Sequence, residues 1–147
     1  MVSDMQPELV PAGDLPWVRL LAYLPALGDP ASDPGGWSEA RQTESGAVHM
    51  PYAIWPDVLE EFVQTLYSEG FIGAFDWRQW AHGEGERFMQ DHEALSRASL
   101  DDLRRVLISH VRADRFNEGH LLAEYRAGTL AVILRRAEEL LNEQSSS

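Results

Sequence analysis

A chain of 147 residues, 44% hydrophobic and 10% aromatic, is most simply one globular domain, long enough to bury a core without metals or disulfides. Its 24 acids against 12 basic residues give a net charge of −12, so most of the surface should repel phosphate backbones and anionic lipid, which argues against a general nucleic-acid binder. There is no cysteine, which excludes disulfides, thiolate metal sites and a thiol nucleophile.

All twelve basic residues are arginine, and coding bias in a GC-rich genome explains a lysine-free chain as well as any functional demand. The charge is uneven. Residues 1–70 hold eleven acids against two arginines, residues 71–147 thirteen against ten, and 97–126 six arginines against five acids. An arginine cluster around 104–115 therefore stays open as a local anion site. The start, Met1 to Val10, has neither signal-peptide nor anchor character, and no apolar run approaches the roughly eighteen residues of a bilayer span. The expectation is a cytoplasmic protein that does not enter membranes.

Along the chain, Asp14-Leu15-Pro16 reads as a helix start, with Asp14 as cap and proline in the first turn. Trp17, Leu20, Leu21 and Leu24 form its apolar stripe, and Pro25 should close it. Residues 26–46, rich in Pro, Gly, Ser and Glu, read as a long exposed loop in which Gly35 and Gly36 are turn formers. Pro56 opens a second helix with Val58, Leu59, Phe62, Val63, Leu66 and Tyr67 at helical spacing, ended by Gly70. Phe71 to Phe75 should be extended. Asp76 then caps a third helix carrying Trp77, Trp80 and Phe88, with a break at Gly83 and Gly85. Ser99 and Asp102 form a capping box for a fourth helix through Leu103, Val106, Leu107, His110 and Val111. A short helix carries Leu121, Leu122 and Tyr125 and stops at Gly128. Thr129 should cap the last helix, whose Leu130, Ile133, Leu134, Ala137, Leu140 and Leu141 are its buried stripe, with Arg135 and Glu139 paired on the wet side and 143–147 a frayed tail.

The densest chemistry lies between two of these helices, in Arg112-Ala113-Asp114-Arg115-Phe116-Asn117-Glu118-Gly119-His120. Gly119 should take a positive φ. In the preferred reading this corner is structural: Arg112 and Arg115 satisfy carbonyls at a helix end, and Asp114 and Glu118 pair with them through the planar guanidinium fork. In the second, the arginines clamp an anion while Glu118 or His120 moves a proton. A third reading takes His110, Asp114, Glu118 and His120 as metal donors. No His-x-x-x-His or His-Glu-x-x-His occurs, and His110 continues an apolar stripe, so no metal is expected there. Trp77 and Trp80, three apart, should bury one helix face; alternatively they wall a slot for a planar ligand, with His82 at its edge. His49, His82 and His92 carry no assigned role, and Thr43, Ser45 and Ser109 lack a nucleophile's context. Signatures of hydrolase elbows, Walker loops and dinucleotide folds are absent.

The block Phe75-Asp76-Trp77, Trp80 and then Arg112 to Leu121 resembles an uncharacterised family of small bacterial and archaeal domains, with an Phe-Asp-Trp-x-x-Trp segment followed by Arg-x-Asp-Arg-Phe-x-Glu-Gly-His and an amphipathic helix. The resemblance covers roughly the last 80–90 residues and, more loosely, the helix at 56–69, but not the proline-rich 25–50. It implies a compact helical domain and nothing about a reaction.

The sequence thus predicts a mostly α, single compact domain over 1–147, with five or six helices and the long loop at 26–46. Its function stands as unknown. The leading expectation is a non-catalytic accessory domain whose acidic surface meets a protein partner, with homodimerisation open through the stripe at 130–141. The alternative is a small-molecule anion-binding protein or enzyme. Its binding residues would be Arg112, Asp114, Arg115, Trp77 and Trp80, its catalytic candidates Glu118 and His120, with no cofactor. A third is an acidic nucleic-acid mimic.

Overall fold

Pro25 sets how the helices begin. Its missing N–H would have bonded the carbonyl of Leu21, and α1 (Trp17–Leu21) ends there. Pro25 instead sits in the first turn of α2 (Leu24–Leu27), where no N–H is needed, so the expected single helix closed by Pro25 is two. Asp14 lies in a preceding 3-10 turn (Ala12–Asp14), and Pro16 occupies the position before α1. The computed structural model describes residues 10–38, 41–42, 46, 48–49 and 51–146. Thr43, Ser45 and the start at 1–9 lie outside them.

The expected loop at 26–46 is a correction. Strands β1 (Gly36–Trp37) and β4 (Ala53–Ile54) pair antiparallel, Gly36 opposite Ile54 and Trp37 opposite Ala53. Further out, β2 (Arg41–Gln42) pairs with β3 (Val48–His49). Gly36 is therefore a strand residue. The base of this arm is tied to the helical body: Tyr125 donates to the carbonyl of Asp33 at 2.7 Å, and Arg126 donates to those of Pro34 at 2.8 Å and Gly35 at 3.1 Å.

Helix α3 (Asp57–Ser68) buries Leu59, Phe62, Val63 and Leu66 as its periodicity predicts, while Tyr67 faces out. Phe71 to Phe75 runs without regular structure. The third expected helix is three short ones: α4 (Trp77–His82), α5 (Glu86–Gln90) and α6 (His92–Leu95). Asp76 caps α4 through Gln79 N at 3.2 Å, and Asp91 caps α6 through Glu93 N at 2.9 Å. The break falls at 83–85 because a side chain at Gly85 would strike the Trp80 indole, which packs there against Phe75 and Phe88.

Helix α7 (Leu100–Asp114) is the centre of the core, with Leu103, Val106, Leu107 and Ile108 buried, each such side chain contributing about 1.5–3 kcal/mol. Its capping box forms in both directions, Ser99 Oγ accepting from Asp102 N and Asp102 from Ser99 N, both at 3.1 Å. Helices α8 (His120–Arg126) and α9 (Thr129–Ser146) fold back on it. The last helix thus runs through the expected tail as far as Ser146. Thr129 does not cap it: Gly128 O takes the bond from Val132 N, and the Thr129 hydroxyl turns elsewhere. The ion pair on this helix is Arg136 with Glu139 at 3.3 Å, not Arg135.

The architecture is mostly α, as predicted, but with nine helices among the described residues where five or six were expected. No helix among them is long and apolar enough to cross a membrane.

Candidate functional site

The charged corner folds differently from its expected ion-pair network. Among the described residues no ion pair forms within 112–120. Asp114, at the end of α7, accepts from Leu121 N at 3.0 Å and so serves the first turn of α8, whose own cap position is Gly119 and offers no side chain. Glu118 is exposed and accepts from Ala53 N of β4 at 2.6 Å. Arg115 is exposed, with a 3.4 Å bond to the Tyr67 hydroxyl, and Arg112 is half-buried. Gly119 has φ 93°, as expected, and a side chain there would also collide with the ring of Trp37, which lies over it.

The structural arginine is Arg104. Only 3% exposed, it donates to the carbonyls of Phe71 at 2.7 Å, Val10 at 2.6 Å and Gly70 at 3.1 Å. Burial holds its guanidinium pKa below the usual arginine value. It pins the start of the described chain and the end of α3 to α7, which nothing in its sequence neighbourhood signalled.

On the other side of the corner, α4, α5, α7 and α8 enclose a cleft of about 570 Å³, within the range of small-molecule sites. Trp77, Ala81, Met89, Ala113 and Phe116 give it mostly apolar walls. At its rim Arg78 lies over Phe116, 4.1 Å from the ring centre, and over Trp77 at 5.5 Å. Its polar end is His110, His120 and Glu124.

These three come together for local reasons. His110 sits on the core stripe of α7, while His120 and Glu124 are four apart on α8 and share its face. His110 Nδ1 and His120 Nε2 are 2.9 Å apart and share a hydrogen bond. The other nitrogen of His110, Nε2, is buried without a partner, a loss of about 1–3 kcal/mol. Burial pushes the His110 pKa down to about 4; Glu124 opposes the shift, and His120 and His92 reinforce it. At neutral pH His110 is an uncharged imidazole. The Thr129 hydroxyl donates to Glu124 Oε1 at 2.7 Å, and its oxygen pairs with His92 Nε2 at 2.8 Å. Because the hydroxyl proton goes to Glu124, His92 must be the donor to Thr129.

Of the residues singled out from sequence, the cleft gathers His110, His120, Trp77 and His82, and leaves Arg112, Asp114, Arg115, Glu118 and Trp80 outside its lining. Sequence reasoning passed over Glu124, Thr129 and Arg78. The spacing of His120 and Glu124 was the available signal, hidden by a search for paired histidines.

A family profile described as "Family of unknown function (DUF6508)" matches residues 14–143. The chain belongs to this family. The DUF6508 match runs through the proline-rich segment that the resemblance left uncovered. No curated protein and no solved structure matches the chain significantly.

Proposed function

We propose that this chain is a small-molecule-binding domain whose site is the α4–α5–α7–α8 cleft. Its ligand sets an apolar, planar body against Trp77, Met89 and Phe116 and a polar group against His110, His120 and Glu124. The observation that carries the reading is the coincidence of a mostly apolar cleft with one buried, half-satisfied and uncharged imidazole at its polar end. An uncharged imidazole hydrogen-bonded to a second histidine beside a carboxylate can accept a proton and pass it on, so acid–base chemistry on the bound molecule is open to it. Compared with the arginine corner, this location keeps His120 as a candidate and replaces Glu118 by Glu124. Arg78, exposed at the rim, supplies the attraction for an anionic group that the corner was expected to provide.

The test is a titration with a planar aromatic anion, 8-anilinonaphthalene-1-sulfonate, followed by its fluorescence. Saturable one-to-one binding is expected. Ala113→Phe, which fills the cleft from α7, should abolish it without lowering the melting temperature. Binding that survives Ala113→Phe would place the dye elsewhere and sink the reading. A second reading, an interface for a protein partner, is favoured by Trp37, Tyr52 and Ile54, exposed by 48%, 56% and 46% on and beside the paired strands.

A further inference from the structure

We infer that His110, His120 and Glu124 bind one divalent first-row transition-metal ion at the polar end of the cleft. The inference rests on the cleft being the functional site and names the cofactor it would hold.

Three observations converge. Each of the three residues offers a ligand atom, and these atoms all lie within 4.8 Å of one another. The 2.9 Å between His110 Nδ1 and His120 Nε2 is close to the separation of two nitrogens on one ion, since metal–nitrogen bonds of about 2.0–2.1 Å span about 2.9 Å at right angles and about 3.3 Å at the tetrahedral angle, which a slight opening of the pair supplies. The carboxylate of half-buried Glu124 has about 1–2 Å to close, which a side-chain rotation covers.

The second observation is the support behind Glu124. Thr129, 1% exposed, donates to Oε1 and is itself held by His92. Metal-binding carboxylates are commonly oriented in this way by hydrogen bonds from behind. A surface glutamate with no further role has no need of a buried threonine and a histidine to aim it.

Third, the facing nitrogens of the two rings converge on one point. The hydrogen bond between His110 Nδ1 and His120 Nε2 uses a proton of one ring and the lone pair of the other, while His110 Nε2 stays without a partner whether or not an ion is bound. An ion between the rings takes the place of that proton and uses both facing lone pairs.

The donor chemistry fixes the class. Two imidazoles and one carboxylate suit zinc, cobalt or iron(II), whereas magnesium and calcium prefer oxygen throughout. Three protein ligands leave a coordination position open, and here it faces a cleft. The substrate class that follows is a small molecule presenting an oxygen or nitrogen donor beside its apolar body.

The experiment uses the full chain after chelation, titrated with Co²⁺ and followed by visible absorption, then with Zn²⁺ in competition. One ion per chain is expected, with the intense visible bands of a four- or five-coordinate cobalt centre. His120→Ala and Glu124→Gln, both at half-buried positions, should weaken binding at least about 100-fold, and Thr129→Val about 10–100-fold. His49→Ala, removing a histidine of β3 that is not one of the three ligands, should change nothing, and Mg²⁺ and Ca²⁺ should not compete. Circular dichroism establishes that each variant is folded. Absence of saturable binding, or binding that persists in both His120→Ala and Glu124→Gln, overturns the inference. Loss of binding in His49→Ala does so too, by assigning the ion to a histidine other than His110 and His120. The dye titration separates the two ideas: dye binding without metal binding refutes the ion and keeps the cleft, and metal binding without dye binding does the reverse.

Discussion

Replacing Arg104 by methionine keeps the length of the side chain and removes its three hydrogen bonds, to Phe71, Gly70 and Val10. A charged donor bonded to a carbonyl contributes about 1.5–3 kcal/mol, and the contributions are not additive when one side chain makes them all. The Phe71 carbonyl belongs to a buried residue and loses its donor outright, while those of Val10 and Gly70, on exposed residues, can turn to water. A net cost of about 3–5 kcal/mol follows, against a total stability of about 5–15 kcal/mol. At about 2–4 °C per kcal/mol for a domain of this size, Arg104→Met should melt about 6–20 °C lower. Thermal melts by circular dichroism and urea midpoints measure both quantities. Arg115→Ala is the comparison, since Arg115 is exposed and holds the Tyr67 hydroxyl at 3.4 Å, and it should stay within about 0.5 kcal/mol of the parent. If Arg104→Met cost less than about 1 kcal/mol, or Arg115→Ala cost as much as it, the assignment of the structural lock to Arg104 would be wrong.

Three further outcomes follow. Gly119→Ala forces a side chain into φ 93° and onto Trp37; it should cost about 1–3 kcal/mol and shift the tryptophan emission, and unchanged stability would contradict the geometry. In chelated buffer the fold should lose stability as pH falls from about 6.5 toward 4. There the unfolded chain gains a proton on His110 that the folded chain, with its pKa lowered to about 4, does not, a loss of about 3 kcal/mol in all. His120, His92 and Glu124 face the same ring, so the measurement is the difference between parent and His110→Gln in urea midpoints at pH 7.5, 6 and 5, and equal slopes would contradict it. Arg126→Ala removes the bonds to Pro34 and Gly35; the amides of Gly36, Trp37, Ala53 and Ile54 should exchange faster while the melting temperature moves only a few degrees, and unaltered exchange would show that the arm is held otherwise.

Local rules carried the reading of the fold wherever a helix supplied its own signals. The capping box at Ser99 and Asp102, the Asp76 cap, the stripe of α9 and the positive φ of Gly119 are each decided within a few residues. The arm is different. Its strands are two residues long, too short for an alternating pattern, and Tyr125 and Arg126 hold its base from 91 or 92 residues away. Position along the chain also misled the reading of the site. His110 does continue an apolar stripe, as a core histidine would, yet the face it occupies meets α8 where His120 and Glu124 emerge. The corner's charges looked like partners because they are neighbours in sequence. In the fold Asp114 and Glu118 each turn to a backbone N–H, at Leu121 and Ala53, and the arginine that locks the structure is one whose carbonyl partners lie 33, 34 and 94 residues away.

Those separations bear on the order in which the molecule assembles. Val10 is 94 residues from Arg104, Ala12 is 89 from Asp101, and Asp33 is 92 from Tyr125. The first third of the chain therefore has two sets of partners, one near at hand on and just after α3, where Tyr23 meets Thr65 at 2.8 Å and Trp17 packs edge-on to Phe71, and one far downstream on α7 and α8. On a ribosome, α1 and α2 can meet α3 early, but Val10, Ala12 and Asp33 cannot take up their distant partners until residues beyond 100 have emerged. Docking of Val10 on Arg104 and of the arm's base on α8 is therefore a late event in the life of the nascent chain, set by where the partners lie in the sequence.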